Sequence, residues 1–249
     1  MTPAARREKG RHIASASLPN RIGRIDWPAI ERGLDEHGYA TIPSLLARDE
    51  CARLAALYRD ERHFRTRVDM ARHRFGEGEY KYFAAPLPPL VAALRAGLYP
   101  RLVPVANRWA TALGTETYPP TLAAYLARCA TAGQRRPTPL LLRYSSGGYN
   151  CLHQDLYGPL VFPLQLTCLL SEVDEDYTGG EFLLVEQRPR AQSRGEAIVL
   201  RRGDAIVFAT RHRPASGTRG VYRVTMRHGV SGVRSGERVS LGVIFHDAA

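Results

Sequence analysis

From residue 138 onward, short apolar stretches alternate with turns rich in Gly, Pro, Ser and Asp. That is the texture of strands whose side chains alternate between two faces. The pattern predicts strands over 140–144, 149–155, 161–170, 180–185, 196–200, 205–208, 220–228 and 238–245. Eight strands is the count of a double-stranded β-helix. The expected fold class is therefore α+β, with a jelly-roll core over 138–249 and supporting helices before it.

The N-terminal half reads differently. Residues 1–20 are polar and small, without periodicity, and are expected to form a disordered tail. Asp26-Trp27-Pro28 has the form of a helix start, Asp as cap and Pro in the first turn, and Gly38 is its natural stop after His37. A short strand over 39–43 and a helix from Asp49 follow, the latter with Cys51, Leu54, Ala55, Leu57 and Tyr58 on one face. Residues 88–132 are Ala- and Leu-rich, and Pro100, Pro104 and Pro119-Pro120 are expected to break them into several helices. The expected division is a helical part over 21–137, carrying a lid-like segment at 65–83, integrated with the core in a single domain.

Composition narrows the class. A length of 249 residues, 44% hydrophobic and 24% charged, suits one soluble globular domain with a sizeable core. No run approaches the ~18 apolar residues of a membrane span, and the start lacks an apolar signal region, so a cytoplasmic chain without membrane contact is expected. Cys51, Cys129, Cys151 and Cys168 form no Cys-x-x-Cys pair and read as reduced thiols. The net charge of +11 is nearly all arginine. Between Arg188 and Arg238 stand twelve arginines against Glu196, Asp204 and Glu237, a local excess of +9 that would attract a polyanion such as single-stranded or damaged nucleic acid.

Candidate chemistry centres on LLLRYSSGGYNCLHQD, residues 140–155. If this is a hairpin turning at Ser145-Ser146-Gly147-Gly148, its second strand points His153 and Asp155 the same way. They would then supply two arms of a 2-His-1-carboxylate triad for iron. The bland account is a strand-end imidazole bonded to its neighbour. A third ligand decides between them, and both His212 and His228 stand in the right part of the chain. For substrate contact, 65–83 (RTRVDMARHRFGEGEYKYF) interleaves Arg67, Arg72, Arg74 and Lys81 with Phe75, Tyr80, Tyr82 and Phe83, a mixture suited to stacking on bases and touching phosphate. Packing of those tyrosines on the core is the alternative. Arg211 and Arg213 lie on a basic run, 211–227, expected to form a hairpin beside the metal.

The run from His228 through Arg238-Val-Ser240 to Phe245 resembles the closing half of 2-oxoglutarate/Fe(II) dioxygenases. In that superfamily the distal His is followed about ten residues later by a Lys or Arg that pairs with the far carboxylate of 2-oxoglutarate. Arg238 follows His228 by ten, whereas His212 has no such partner, and this favours His228. The last 110 or so residues, through YNCLHQDLYG, TGGEFLLVEQRPRAQSR, GDAIVFATRHRP and GVYRVTMRHGVSGVRSGERVSLGVIFHDA, closely resemble one bacterial family, Oxygenase-NA, related to the AlkB-type demethylases. The resemblance implies Fe(II) on His153, Asp155 and His228, and 2-oxoglutarate on Arg238, Ser240 and Tyr144. It further implies O2 as co-substrate and oxidative demethylation of alkylated nucleic acid. There are two departures from the AlkB pattern: the ten-residue gap is closer to prolyl hydroxylases, and Ile244 stands where AlkB-type proteins carry a second Arg. A hydroxylase of a protein side chain or small molecule is the alternative.

Overall fold

A computed structural model describes residues 16–218 and 220–249. In chain order, the N-terminal part contributes α1 (Leu18–Gly23), α2 (Trp27–His37), β1 (Tyr39–Ile42), α3 (Arg48–Leu57), β2 (Phe64–Asp69), α4 (Met70–His73), β3 (Gly76–Glu77), β4 (Glu79–Phe83), α5 (Pro89–Leu113) and α6 (Leu122–Thr131). Ten strands follow: β5 (Leu140–Ser145), β6 (Tyr149–His153), β7 (Leu164–Leu169), β8 (Tyr177–Gly179), β9 (Phe182–Gln187), β10 (Arg194–Ile198), β11 (Ala205–Ala209), β12 (His212–Gly217), β13 (Gly220–Val230) and β14 (Val233–Ile244). All eight expected core strands are present. The short β8 and β12 are additional.

The strands pair antiparallel into two sheets. The larger runs β1-β11-β7-β14-β5-β4-β2 with β8 also on β14, and the smaller runs β10-β9-β13-β6-β3 with β12 also on β13. This is the expected jelly roll, but its connectivity corrects the hairpin expected over 140–155. β5 pairs with β14 and β4 in the larger sheet, while β6 pairs with β13 and β3 in the smaller. The Ser145–Gly148 turn is thus a corner between sheets. It is pinned by β14, because Gly147 N–H donates to Val233 O at 2.8 Å and Val233 N–H donates back to Gly148 O at 2.7 Å.

The segment expected as a lid is built into the barrel wall. β2 and β4 extend the larger sheet beyond β5, and β3 caps the edge of the smaller sheet beside β6. The basic run forms the expected hairpin, β12 against β13. Of the expected tail, residues 1–15 lie outside the described residues, and Leu18–Gly23 is helical.

Local rules hold at α2, where Asp26 Oδ1 accepts from Ala29 N–H at 3.0 Å and Gly38 closes the helix at φ +78°. They fail at α5, which continues through Pro100 and Pro104 for 25 residues. The two prolines are exposed and four apart, so they share the outer face, where water satisfies the carbonyls they leave unpaired. The inner face buries Val91, Leu94, Leu98, Leu102, Val105 and Trp109, and that packing outweighs the local cost. Tyr99 stacks with Tyr125 at 5.8 Å and meets Phe245 at 6.1 Å, joining α5 to α6 and to the end of β14. All four cysteines are free, and among the described residues no helix is long and apolar enough to cross a membrane.

Buried Arg95 ties α5 to the C-terminal end of the barrel, donating to Ile244 O at 2.9 Å and pairing with Asp247 at 2.7 Å. Removing one side of such a pair strands the other. Arg95→Ala is expected to lower the unfolding free energy by about 3–5 kcal/mol, read as a lower urea midpoint at an unchanged slope.

Candidate metal centre

β6 and β13 are neighbours in the smaller sheet, and their register sets His153 directly opposite His228. Their ring centroids are 4.2 Å apart. Asp155 lies two residues past the end of β6 and turns its carboxylate between them. Oδ1 is 3.6 Å from His153 Nε2, and Oδ2 is 3.2 Å from His228 Nε2. One ligand atom from each of the three residues lies within 4.8 Å of the others. His212 is elsewhere, its Nδ1 3.5 Å from Thr225 Oγ1. The ladder is irregular between His228 and Val230, and Gly229 sits at that irregularity. A Cβ at Gly229 would lie 2.6 Å from Asn150 O, so the close approach of the two strands needs glycine there.

The donor chemistry fits a divalent cation. His153 Nδ1 lies 2.8 Å from Cys151 O. A carbonyl only accepts, so Nδ1 carries a hydrogen, and Nε2, 3.6 Å from Asp155 Oδ1, is the nitrogen that would turn its lone pair to a cation on losing its proton. Burial opposes charge on Asp155, but its hydrogen bonds to His153 and His228 hold the carboxyl well below its usual range. The two imidazoles move apart. Burial acts to lower His153, yet Asp155 beside it raises it, whereas burial and the neighbouring His153 lower His228. Phe182 stacks on the His228 ring at 15° and Phe208 approaches it at 4.7 Å, a dry wall behind the donors. Two imidazoles and one carboxylate on one side of a cavity are the facial set that suits Fe(II) and leaves positions open.

That cavity has a volume of about 330 Å³, at the lower end for ligand sites. Arg238 and Ser240 on β14, Tyr144 on β5 and Tyr80 on β4 line it along with the triad. Arg238 is buried. Its guanidinium donates to Gly180 O at 2.9 Å and Ser240 Oγ at 3.1 Å, and lies 5.7 Å from the Tyr144 ring centre. No carboxylate is within ion-pairing distance of it among the described residues.

The other expected contact residues divide. Arg67 pairs with Glu79, Arg72 lies 3.4 Å from Asp69, and neither lines the cavity. Tyr82 is buried beside Leu140 and Ile244. Arg211 is exposed, and its carbonyl lies 3.5 Å from Gln154 Nε2. Arg213 corrects the expectation of a phosphate contact: it is fully buried, paired with Glu186 and donating to Asp35 O at 3.1 Å, with no surface to offer. Sequence reasoning did not single out Gln165, Asn150 or Tyr157, which also line the cavity, whereas Arg74 and Phe75 of the segment expected to touch substrate do line it. The available signals were slight: Gln165 interrupts an apolar strand, and Tyr157 follows Asp155 by two residues.

A model of the Oxygenase-NA family, described as "Oxygenase, catalysing oxidative methylation of damaged DNA", matches residues 78–248. An uncharacterized protein of Mycobacterium tuberculosis, Rv2227, is 54% identical over 168 residues, which are 67% of this chain and 72% of the relative. A Pseudomonas putida prolyl-4-hydroxylase shares the fold with a TM-score of 0.52 at 17% identity, over 90% of this chain and 99% of its own. So does a 2OG-Fe(II) oxygenase family oxidoreductase from Burkholderia pseudomallei, with a TM-score of 0.51 at 15% identity over 91% and 94% of the two chains. The family model over residues 78–248 shows that the chain belongs to the Oxygenase-NA family of oxygenases, and it shares its fold with 2OG-Fe(II) oxygenase family proteins.

Proposed function

We propose that this chain is a 2-oxoglutarate- and Fe(II)-dependent dioxygenase that removes N-methyl groups from alkylated nucleic-acid bases by oxidation, releasing formaldehyde. In this reading His153, Asp155 and His228 hold Fe(II), and Arg238, Ser240 and Tyr144 hold 2-oxoglutarate. One observation carries the cofactor assignment: a buried arginine without a carboxylate partner among the described residues, on the wall of the cavity that holds the triad. A buried unpaired guanidinium is costly, and a dicarboxylate reaching it from the triad supplies the missing anion in a two-pronged fork.

Bound Fe(II), with 2-oxoglutarate and O2, supplies the oxidant. The chain's residues bind, orient and exclude. Ser240 holds the Arg238 fork in place, and Asn150 Nδ2 donates to the Tyr144 hydroxyl at 3.3 Å, fixing that ring. Leu140, Leu142, Phe208 and Ile244 keep water from the reacting centre.

The family description supports a nucleic-acid substrate. At the mouth, Phe75 is 48% exposed, stacked on His73 at 5.4 Å, and Arg74 lies beside it. A flat ring and a cation at the mouth suit a base that is flipped out or single-stranded, since a base inside a duplex does not reach such a floor. One observation favours a protein or small-molecule hydroxylase instead. Part of the +9 excess is offset by acids outside that stretch, Glu186 beside Arg188 and Arg213, Asp176 beside Arg202 and Glu181 beside Arg234. Formaldehyde released one-to-one with succinate from methylated oligonucleotides separates the two. Succinate formed only with peptides or metabolites moves the assignment to the hydroxylase.

Three outcomes are expected. His228→Ala loses bound iron and turnover while His212→Ala keeps both, as read by metal analysis of the purified variants. Arg238→Ala leaves iron bound but raises the 2-oxoglutarate requirement about a hundredfold or more, the equivalent of ~3–5 kcal/mol from one side of a buried charged pair. An unchanged requirement would move the clamp elsewhere. On single-stranded oligonucleotides, Arg74→Glu and Arg211→Glu flatten the salt dependence by about 0.7 in log K per log salt for each phosphate no longer neutralised. Phe75→Ala weakens binding by about 1–3 kcal/mol without changing that slope.

A further inference from the structure

Asp155 lies beyond the end of β6, where no strand ladder holds it. Its two oxygens have different partners. Oδ2 faces His228 Nε2 at 3.2 Å, whereas Oδ1 accepts a hydrogen bond from the Tyr157 hydroxyl at 2.5 Å. A carboxylate only accepts, so the Tyr157 hydroxyl is the donor. The Tyr82 ring packs against Tyr157, and Tyr80 packs against Tyr82 at 5.4 Å.

The rings are fixed by packing. Tyr157 meets Tyr82 edge-on at 5.9 Å and 87°, and lies 5.9 Å from the buried His246 ring on its other side. Tyr80 and Tyr82 are set on β4 opposite Leu142 and Leu140 of β5. The β4–β5 pair thus reaches the triad through the Tyr82 ring and the Tyr157 hydroxyl. A phenol carries its hydrogen at neutral pH, so this hydroxyl is a donor.

We propose that Tyr157, backed by Tyr82, is a positioning residue that occupies Asp155 Oδ1 and so leaves Oδ2 as the single carboxylate oxygen offered to the metal. This rests on the reading of His153, Asp155 and His228 as the metal site. Holding the carboxylate to one oxygen keeps the remaining positions open for the co-substrates. It also gives Tyr82, expected from sequence to touch nucleic acid, a task inside the wall.

The test is anaerobic Co(II) titration of the full chain, followed by calorimetry and by the visible absorption of the bound ion, with succinate formation in the Fe(II) enzyme measured alongside. Tyr157→Phe removes one oxygen and keeps the ring. It is expected to weaken Co(II) binding about 10–100-fold, the usual cost of losing an outer partner of a metal ligand, and to alter the absorption bands as Asp155 becomes free to bind through both oxygens. Tyr82→Ala, which removes the ring packed on Tyr157, should shift affinity in the same direction by a smaller factor. Co(II) affinity and spectrum in Tyr157→Phe equal to those of the unmodified protein would overturn the inference, even if the melting temperature fell, since that alone indicates packing. If the unmodified protein does not bind one equivalent of Co(II), the metal reading itself fails and this inference falls with it. Tight wild-type binding with an unaffected Tyr157→Phe rejects the Tyr157 role alone.

Discussion

The site depends on the register of β13 against β6. His228 and His153 are paired residues on adjacent antiparallel strands, so their imidazoles stand side by side on one face of the smaller sheet. A slip of one residue would send His228 to the opposite face and bring exposed Arg227 or Gly229 into its place. The register is held from both sides. β13 is also laddered to β9 from Thr225 to Val230, and the irregularity after His228 lets β6 close on Gly229. Asp155 needs no place in the ladder, because the two imidazoles and the Tyr157 hydroxyl define its position.

Charge organises the cavity as firmly as shape. Arg238 is buried and Asp155 half-buried at separate places on its lining, and among the described residues neither finds an opposite formal charge in the wall within ion-pairing distance other than the imidazoles beside Asp155. In the proposed reading each meets a ligand of opposite sign, a cation for one and a carboxylate for the other. The apolar surface between them, from Leu140, Leu166, Phe182, Phe208 and Ile244, raises the strength of both attractions by excluding water. Outside the cavity the same physics runs the other way. Arg95, Arg213 and Lys81 are buried against Asp247, Glu186 and Glu61, so part of a strongly basic composition is spent on internal pairing. The residual positive surface at the mouth is carried by fewer residues, Arg74 and Arg211 among them.

By itself the sequence determined what local chemistry determines. Period-two apolar stretches placed eight strands, Asp26 and Gly38 marked the ends of α2, and the spacings His153-x-Asp155 and His228 to Arg238 pointed to four residues that now stand around one cavity. Each of these signals lives within about ten residues, the range over which backbone geometry and capping act. Tertiary structure alone decided the rest. β5 and β6 flank a three-residue corner yet join opposite sheets, because their partners β14 and β13 lie some eighty to a hundred residues away along the chain. α5 keeps its prolines because its buried face, not its propensity, sets its length. Arg213 turned inward to Glu186, and Tyr82 became a support rather than a platform, since a side chain's face depends on which strand it meets. Tyr157 had no pattern to announce it. A hydrogen bond to Asp155 exists only once β4, β5 and the loop after β6 are packed together, and such long-range contacts leave no periodic trace in the chain that makes them.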